Sequence, residues 1–143
     1  MTALDRNSDG YEPRFDIDAE YGRQGELFVT RIIDALKKDS VEVKRDGKVG
    51  ETGRLYVEFE HDPGRRGIYK PSGISTTHAD LYAFVFGDAP SCLVVSTELL
   101  RALIKAPGIQ VKEETHGSCP TRGYVVSVQW LMYSIRAVAR GAA

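Results

Sequence analysis

Two short runs, Val41-Glu42-Val43-Lys44-Arg45-Asp46 and Leu55-Tyr56-Val57-Glu58-Phe59-Glu60, alternate apolar and polar positions. Strand side chains point to alternate faces. The pattern therefore predicts two strands with Val41, Val43, Leu55, Val57 and Phe59 on a core, and Glu42, Lys44, Asp46, Glu58 and Glu60 on the opposite face. Gly47, Gly50 and Gly53 between the runs predict an antiparallel hairpin that sets Asp46 against Arg54 and Glu42 against Glu58. Like charges directly opposite each other destabilise a sheet. Carboxylates kept in that arrangement suit a hard divalent cation, Mg²⁺ or Mn²⁺. The plain alternative is the solvated outer face of a two-sided sheet.

The rest of the pattern predicts an α/β domain. Phe28, Val29, Ile32, Ile33 and Leu36 recur with helical spacing, so a helix is expected over about residues 20–38, with Glu26 at the edge of its apolar stripe. Glu26 reads equally as a first-turn glutamate favoured by the helix dipole. After the hairpin, a long Gly/Pro-rich loop from His61 to His78 is expected to be functional or mobile. Leu81–Phe86 reads as a buried central strand, with Asp80 at its start. Leu93–Val95 reads as a short strand, and Ser96 or Thr97 as the cap of a helix running to Ala106. Ile109–Glu113 and Tyr124–Val128 are further strands, and an amphipathic helix over 129–140 closes the chain. Residues 1–15, polar and aperiodic, predict a loose tail. Residues 16–143 then form one domain, a mixed sheet flanked by helices.

Composition excludes some classes. An apolar fraction of 42% and a charged fraction of 27% are ordinary for a globular chain and argue against wholesale disorder. No stretch approaches the roughly 20 apolar residues needed to cross a bilayer, and no basic-then-apolar leader is present, so a soluble cytoplasmic protein is expected. Cys92 and Cys119 are the only thiols and have no C-x-x-C spacing, which fits a reducing compartment. His116 and Cys119 stand as H-x-x-C, but the two closely spaced ligand pairs usual for structural zinc are missing. Net charge is only −1, yet the first 60 residues carry an acidic excess and the remainder a basic one. Arg65, Arg66 and Lys70 cluster just after the acidic runs. Carboxylates beside a basic loop suit a phosphate-bearing substrate, although a solvated turn explains the arginines as well.

A helix carrying Glu26, followed by a hairpin carrying Asp46 and Glu58-Phe59-Glu60, resembles the PD-(D/E)XK nuclease superfamily, whose fold is restriction-endonuclease-like. The resemblance covers roughly residues 15–112. It is nearest to small phage and mobile-element members and to Holliday-junction resolvase-like members, in the elements Glu42-Val43-Lys44-Arg45-Asp46, Thr52-Gly53, Glu58, Ser72-Gly73-Ile74 and Thr77-His78-Ala79-Asp80. It implies a metal-dependent endonuclease in which Asp46 and Glu58, with Glu26, hold Mg²⁺ or Mn²⁺. Glu60 occupies the place of the superfamily's lysine, where it would act as a base or third ligand, and Lys44 would supply the ammonium from the neighbouring strand. A second register takes Glu42-Val43-Lys44 as the Glu-x-Lys element with Asp16 or Asp18 as the earlier acid. Arg65, Arg66, Lys70, Ser72, Thr76 and Thr77 are candidates for contacts to substrate phosphates. The expected partner is DNA, branched DNA in particular, bound by a homodimer that doubles the few basic contacts of one subunit. Two other classes stay open: a nuclease-fold module that binds DNA without cutting, and a protein-interaction subunit whose carboxylates meet a basic partner.

Overall fold

The computed structural model describes residues 15–87, 91–116, 119–139 and 141. The expected N-terminal tail therefore lies outside the described residues, apart from Phe15. The chain divides into two compact units, residues 1–38 and 39–143. In the first, the expected helix is present and longer than its apolar stripe, running as α1 over Phe15–Lys37. Glu26 lies on it, exposed, with its carbonyl accepting the Thr30 hydroxyl. Phe28, Val29, Ile33 and Leu36 are exposed as well.

The second unit is α/β, built on two sheets instead of the one expected. Its strands are β1 (Val41–Asp46), β2 (Arg54–His61), β3 (Lys70–Pro71), β4 (Leu81–Phe86), β5 (Cys92–Ser96), β6 (Gln110–His116) and β7 (Cys119–Ser127). Its helices are the single turn α2 (Val49–Thr52), α3 (Thr97–Leu103) and α4 (Val128–Ala139), with a 3-10 turn at Gly73–Ser75. One sheet runs β1-β4-β5 and the other β3-β2-β7-β6. The core lies where they meet. Tyr82, Phe84 and Val95 from the first sheet, Leu55, Val57 and Val126 from the second, and Leu100, Leu103 and Leu131 from α3 and α4 form one buried cluster. The strands and helices expected after residue 80 all form, each within a few residues of its predicted limits. Ser96 caps α3, its hydroxyl accepting the Leu99 N–H at 3.3 Å.

The hairpin expectation is overturned. β1 pairs in parallel with β4, Glu42 beside Tyr82 and Asp46 beside Phe86, while β2 pairs with β3 and β7. Neither Asp46–Arg54 nor Glu42–Glu58 is a cross-strand pair. Residues 49–52 wind into a helical turn instead of a β-turn, and Gly53, at φ +63°, ends that turn in the left-handed conformation that glycine adopts at little cost. The chain then leaves β1 and enters the other sheet, where the Gly53 carbonyl accepts the Val128 N–H.

This pairing also reverses the faces expected of β1. Paired residues share a face. Glu42, Lys44 and Asp46 therefore stand on the side of Tyr82, Phe84 and Phe86, the core side, while Val43 is 56% exposed. The register is set at its start by a clasp: the Ser40 hydroxyl donates to Asp80 Oδ2 at 2.7 Å and accepts the Asp80 N–H at 3.0 Å. The next link is Leu81 N–H to the Ser40 carbonyl. Ser40→Ala removes both side-chain bonds at a largely exposed site, so about 1 kcal/mol of stability is expected to be lost. Urea unfolding of parent and variant checks it.

Candidate functional site

Glu42 and Glu58 come from different sheets, yet both are hydrogen-bonded by one short segment, Ser72–Thr77. Tyr82, the neighbour of Glu42 on β4, is fully buried, and its hydroxyl has no hydrogen-bond partner among the described residues. Burial first, and then the charges of Glu42 and Glu58, push that hydroxyl far above the ordinary phenol range. Each carboxylate is held by its own neighbours. Lys44 Nζ lies 2.7 Å from Glu42 Oε1, and the Thr77 hydroxyl donates to Glu42 Oε2 at 3.4 Å. Ser72 donates its hydroxyl to Glu58 Oε1 at 2.7 Å.

The segment after β3 is shaped to fit this arrangement. Gly73 has φ +50°, and a Cβ there would collide with the Glu58 carbonyl oxygen. Glycine is thus required twice, by conformation and by close approach. Ser72 N–H bonds the Phe59 carbonyl, tying the same segment to β2. Arg101 on α3 donates from Nε to the Ile74 carbonyl at 3.0 Å and from a terminal nitrogen to the Thr77 carbonyl at 2.6 Å. The Ser72–Thr77 stretch, read from the sequence as loop, is a fastened wall.

Asp46 and Glu60, in the same unit, lie apart from Glu42 and Glu58. Asp46 shares the face of Glu42 and Lys44 but stands at the far end of β1, about 13 Å along the strand from Glu42 at the usual rise per residue. Its Oδ1 accepts the Lys48 N–H at 2.9 Å. Glu60 is separated from Glu58 by a β-bulge: Glu58 pairs with Gly123, but Glu60 pairs with Arg122, leaving Phe59 as the extra residue. Since Leu55, Val57 and Glu60 face Val126, Tyr124 and Arg122, alternate residues of β7, Glu60 joins the Leu55 face. Glu58 stays with Tyr56, whose hydroxyl is pushed up by burial foremost and by Glu58 in part. The expectation that Glu58 and Glu60 share a face fails for this reason. Glu60 is 3.6 Å from Arg122 instead. Glu26 and Asp16 belong to the first unit, and the Asp16 side chain is not among the described ones. Among the described residues no group of three or more His, Cys, Asp or Glu comes together as a metal site. His116 and Cys119 are simply cross-strand partners on β6 and β7.

The basic loop is ordered by a residue that sequence reading passed over. Asp62 is 2% exposed, and its Oδ2 accepts the Gly67 N–H at 2.7 Å. Burial opposes its charge, but the backbone N–H groups of Gly67, Arg66, Gly64 and Arg65 outweigh burial and hold the carboxyl below its usual range. Arg65 takes φ +52° within this wrap. Arg65 and Arg66 are exposed on it, and Lys70 lies exposed on β3 opposite His61. Of the residues overlooked in the sequence, Tyr82 and Asp62 did leave a signal: one hydroxyl inside the apolar run Leu81–Phe86, and one aspartate directly before Pro63-Gly64.

No family model, curated protein or solved structure matches this chain. Its chemistry has to be argued from the side chains.

Two outcomes are expected of the isolated protein. Tyr82→Phe removes a buried hydroxyl with no partner, so stability should rise by about 1–2 kcal/mol, measured by denaturant unfolding. Asp62 has a depressed native pKa, so its contribution is complete above the ordinary aspartate value of about 3.9 and is lost as pH falls through the lower native value. The gap in melting temperature between parent and Asp62→Asn should therefore be widest near neutrality and close on acidification.

Proposed function

We propose that the chain is a divalent-metal-dependent phosphodiesterase acting on nucleic acid, an endodeoxyribonuclease, with Glu42, Lys44 and Glu58 at its centre. The observation that carries the reading is that one short segment, Ser72–Thr77, hydrogen-bonds both Glu58 and Glu42, with the Lys44 ammonium against Glu42. The sequence resemblance supplies the reaction class. Of the two registers, this geometry supports Glu42-Val43-Lys44 as the Glu-x-Lys element, with Glu58 as the second acid in place of Asp16. Asp46 is left at the strand's end.

The donor set fits a hard cation. Two carboxylates and the hydroxyls of Ser72 and Thr77 that hold them are all oxygen, as Mg²⁺ and Mn²⁺ prefer. When bound by Glu42 and Glu58, such an ion would polarise a phosphate oxygen and lower the pKa of an attacking water. The chain's own groups do the rest. Ser72 and Thr77 each hold one oxygen of a carboxylate, which leaves the remaining lone pairs for a ligand and fixes the orientation of the two groups. Lys44 neutralises Glu42 at rest and would meet an incoming phosphate or the water beside it. A second reading, a module that binds DNA without cutting, is favoured by the lack of any three-carboxylate cluster among the described residues.

Labelled four-way junction, flap, linear duplex and single strand are incubated with the protein in Mg²⁺, Mn²⁺ or EDTA, and light scattering reports whether it is the homodimer expected to prefer the junction. Metal-dependent cutting is expected, falling at least about 100-fold in Glu42→Gln and Glu58→Gln, because each removes a charged ligand of the ion that would activate the water, and changing little in Asp46→Asn. Saturating metal should raise apparent stability by about 2.7 kcal/mol at a hundredfold excess over Kd. Cutting that depends on Asp46 but not Glu42 would move the site to the other register. Metal and DNA binding without cutting would leave the binding module.

A further inference from the structure

The Ser72–Thr77 segment does not hold its two carboxylates alike. At the Glu58 end it is bound to β2 itself. Ser72 donates its N–H to the Phe59 carbonyl at 2.9 Å and its hydroxyl to Glu58 Oε1 at 2.7 Å, and Gly73 lies so close to the Glu58 carbonyl that a Cβ would collide with it. At the Glu42 end the segment offers the Thr77 hydroxyl, which accepts the Ala79 N–H at 3.2 Å and donates to Glu42 Oε2 at 3.4 Å. Hydroxyl bonds to oxygen centre on about 2.7–2.8 Å, so a small outward movement of Thr77 breaks this one.

What fixes Thr77 comes from α3. The Arg101 guanidinium donates from Nε to the Ile74 carbonyl at 3.0 Å and from a terminal nitrogen to the Thr77 carbonyl at 2.6 Å, spanning the half of the segment that Ser72 does not reach. Bonds with an ionised donor are stronger than neutral ones, and the planar fork holds two acceptors in a fixed relation as a single ammonium cannot. Arg101 is partly buried, and among the described residues no carboxylate lies within ion-pair distance of it. Its donors are committed to backbone. α3 is also bonded further along the same stretch: the Thr97 N–H reaches the Asp80 carbonyl at 3.0 Å, and Asp80 is clasped to Ser40 at the start of β1. One helix thus references both the strand that carries Glu42 and the hydroxyl that orients it.

We infer that Arg101 is a positioning residue for the proposed metal centre: through the Thr77 carbonyl it sets the orientation of Glu42, and it does not act on Glu58. The inference rests on the assignment of Glu42 and Glu58 as metal ligands. Ligating carboxylates depend on the groups that hydrogen-bond them, and loss of such a group is felt as metal affinity.

Mn²⁺ binding is measured by calorimetry on the full chain, in the parent, Arg101→Met, Thr77→Val, Ser72→Ala and the two double variants that contain Arg101→Met. Arg101→Met is expected to weaken Mn²⁺ binding by roughly tenfold. In the Thr77→Val background, where the hydroxyl is already absent, the same substitution should cost less than about twofold, and in the Ser72→Ala background roughly tenfold again. A second readout needs no metal. In EDTA, hydrogen exchange at the Thr77 and Ala79 amides should quicken by roughly tenfold in Arg101→Met, because local opening is easier without the two bonds, while the Ser72 amide keeps its rate. Arg101→Lys keeps the charge but cannot bridge both carbonyls. It should weaken Mn²⁺ binding in the same direction, and it decides if Arg101→Met does not fold. Equal losses in all three backgrounds, or exchange quickened as much at Ser72 as at Thr77, overturn the inference and reduce Arg101 to a support of the fold. A parent that binds Mn²⁺ no more tightly than Arg101→Met removes the inference and leaves the assignment of Glu42 and Glu58 standing. A parent that binds no Mn²⁺ overturns that assignment and the inference with it.

Discussion

The parallel register of β1 on β4 is the constraint on which the rest of the candidate site depends. It is set where β1 begins, by the Ser40 hydroxyl bonded twice to Asp80 and by the Ser40 carbonyl bonded to Leu81. Sheet side chains repeat every two residues, so a slip of one would carry Glu42 and Lys44 to the Val43 face and away from Tyr82. In the register observed, an edge strand brings a carboxylate and an ammonium beside a buried phenol. The same alternation leaves Val43 in solvent, where an apolar side chain gains nothing. The stability lost at Val43 is the counterpart of charge on the inner face.

Glu58 reaches the site by a different route. The bulge at Phe59 changes which face of β2 follows, sending Glu60 to Arg122 and leaving Glu58 beside the Ser72–Gly73 wall. Bulges recur beside functional sites because one extra residue can re-aim a side chain without breaking the sheet. The wall needs its own fastening, which α3 provides through Arg101. Two sheets, a bulge and a helix thus converge on a few oxygen atoms, and no single element carries the site.

The described residues have three buried polar side-chain atoms without partners: Tyr82 Oη, Asp62 Oδ1 and Thr97 Oγ1. Folded proteins leave few such atoms, and each lowers stability in the free state. Tyr82 stands beside Glu42 in the β1–β4 register, and Asp62 lies inside the wrap of backbone N–H groups that orders the basic loop. Local departures from good packing rules concentrate where a chain does something besides fold. Thr97 Oγ1, at the start of α3, has no comparable neighbour.

Taken alone, the sequence determined the elements whose signals are local. The apolar stripe from Phe28 to Leu36 marked α1, the continuous apolar run marked β4 as a central strand, and Ser96 marked the start of α3, since spacing and caps act within a few residues. It also marked Glu42, Lys44, Glu58, Ser72 and Thr77 as chemistry-bearing. Which of them meet was decided by tertiary structure. Glycines between two alternating runs fit a hairpin and a helical turn equally well, and only the competition of β4 for β1 and of β7 for β2 selects between them. A bulge is likewise invisible in Glu58-Phe59-Glu60, because the residue it inserts is defined by the partner strand. Asp62 and Tyr82 acquire their meaning from burial, which depends on contacts distant along the chain and on no local pattern.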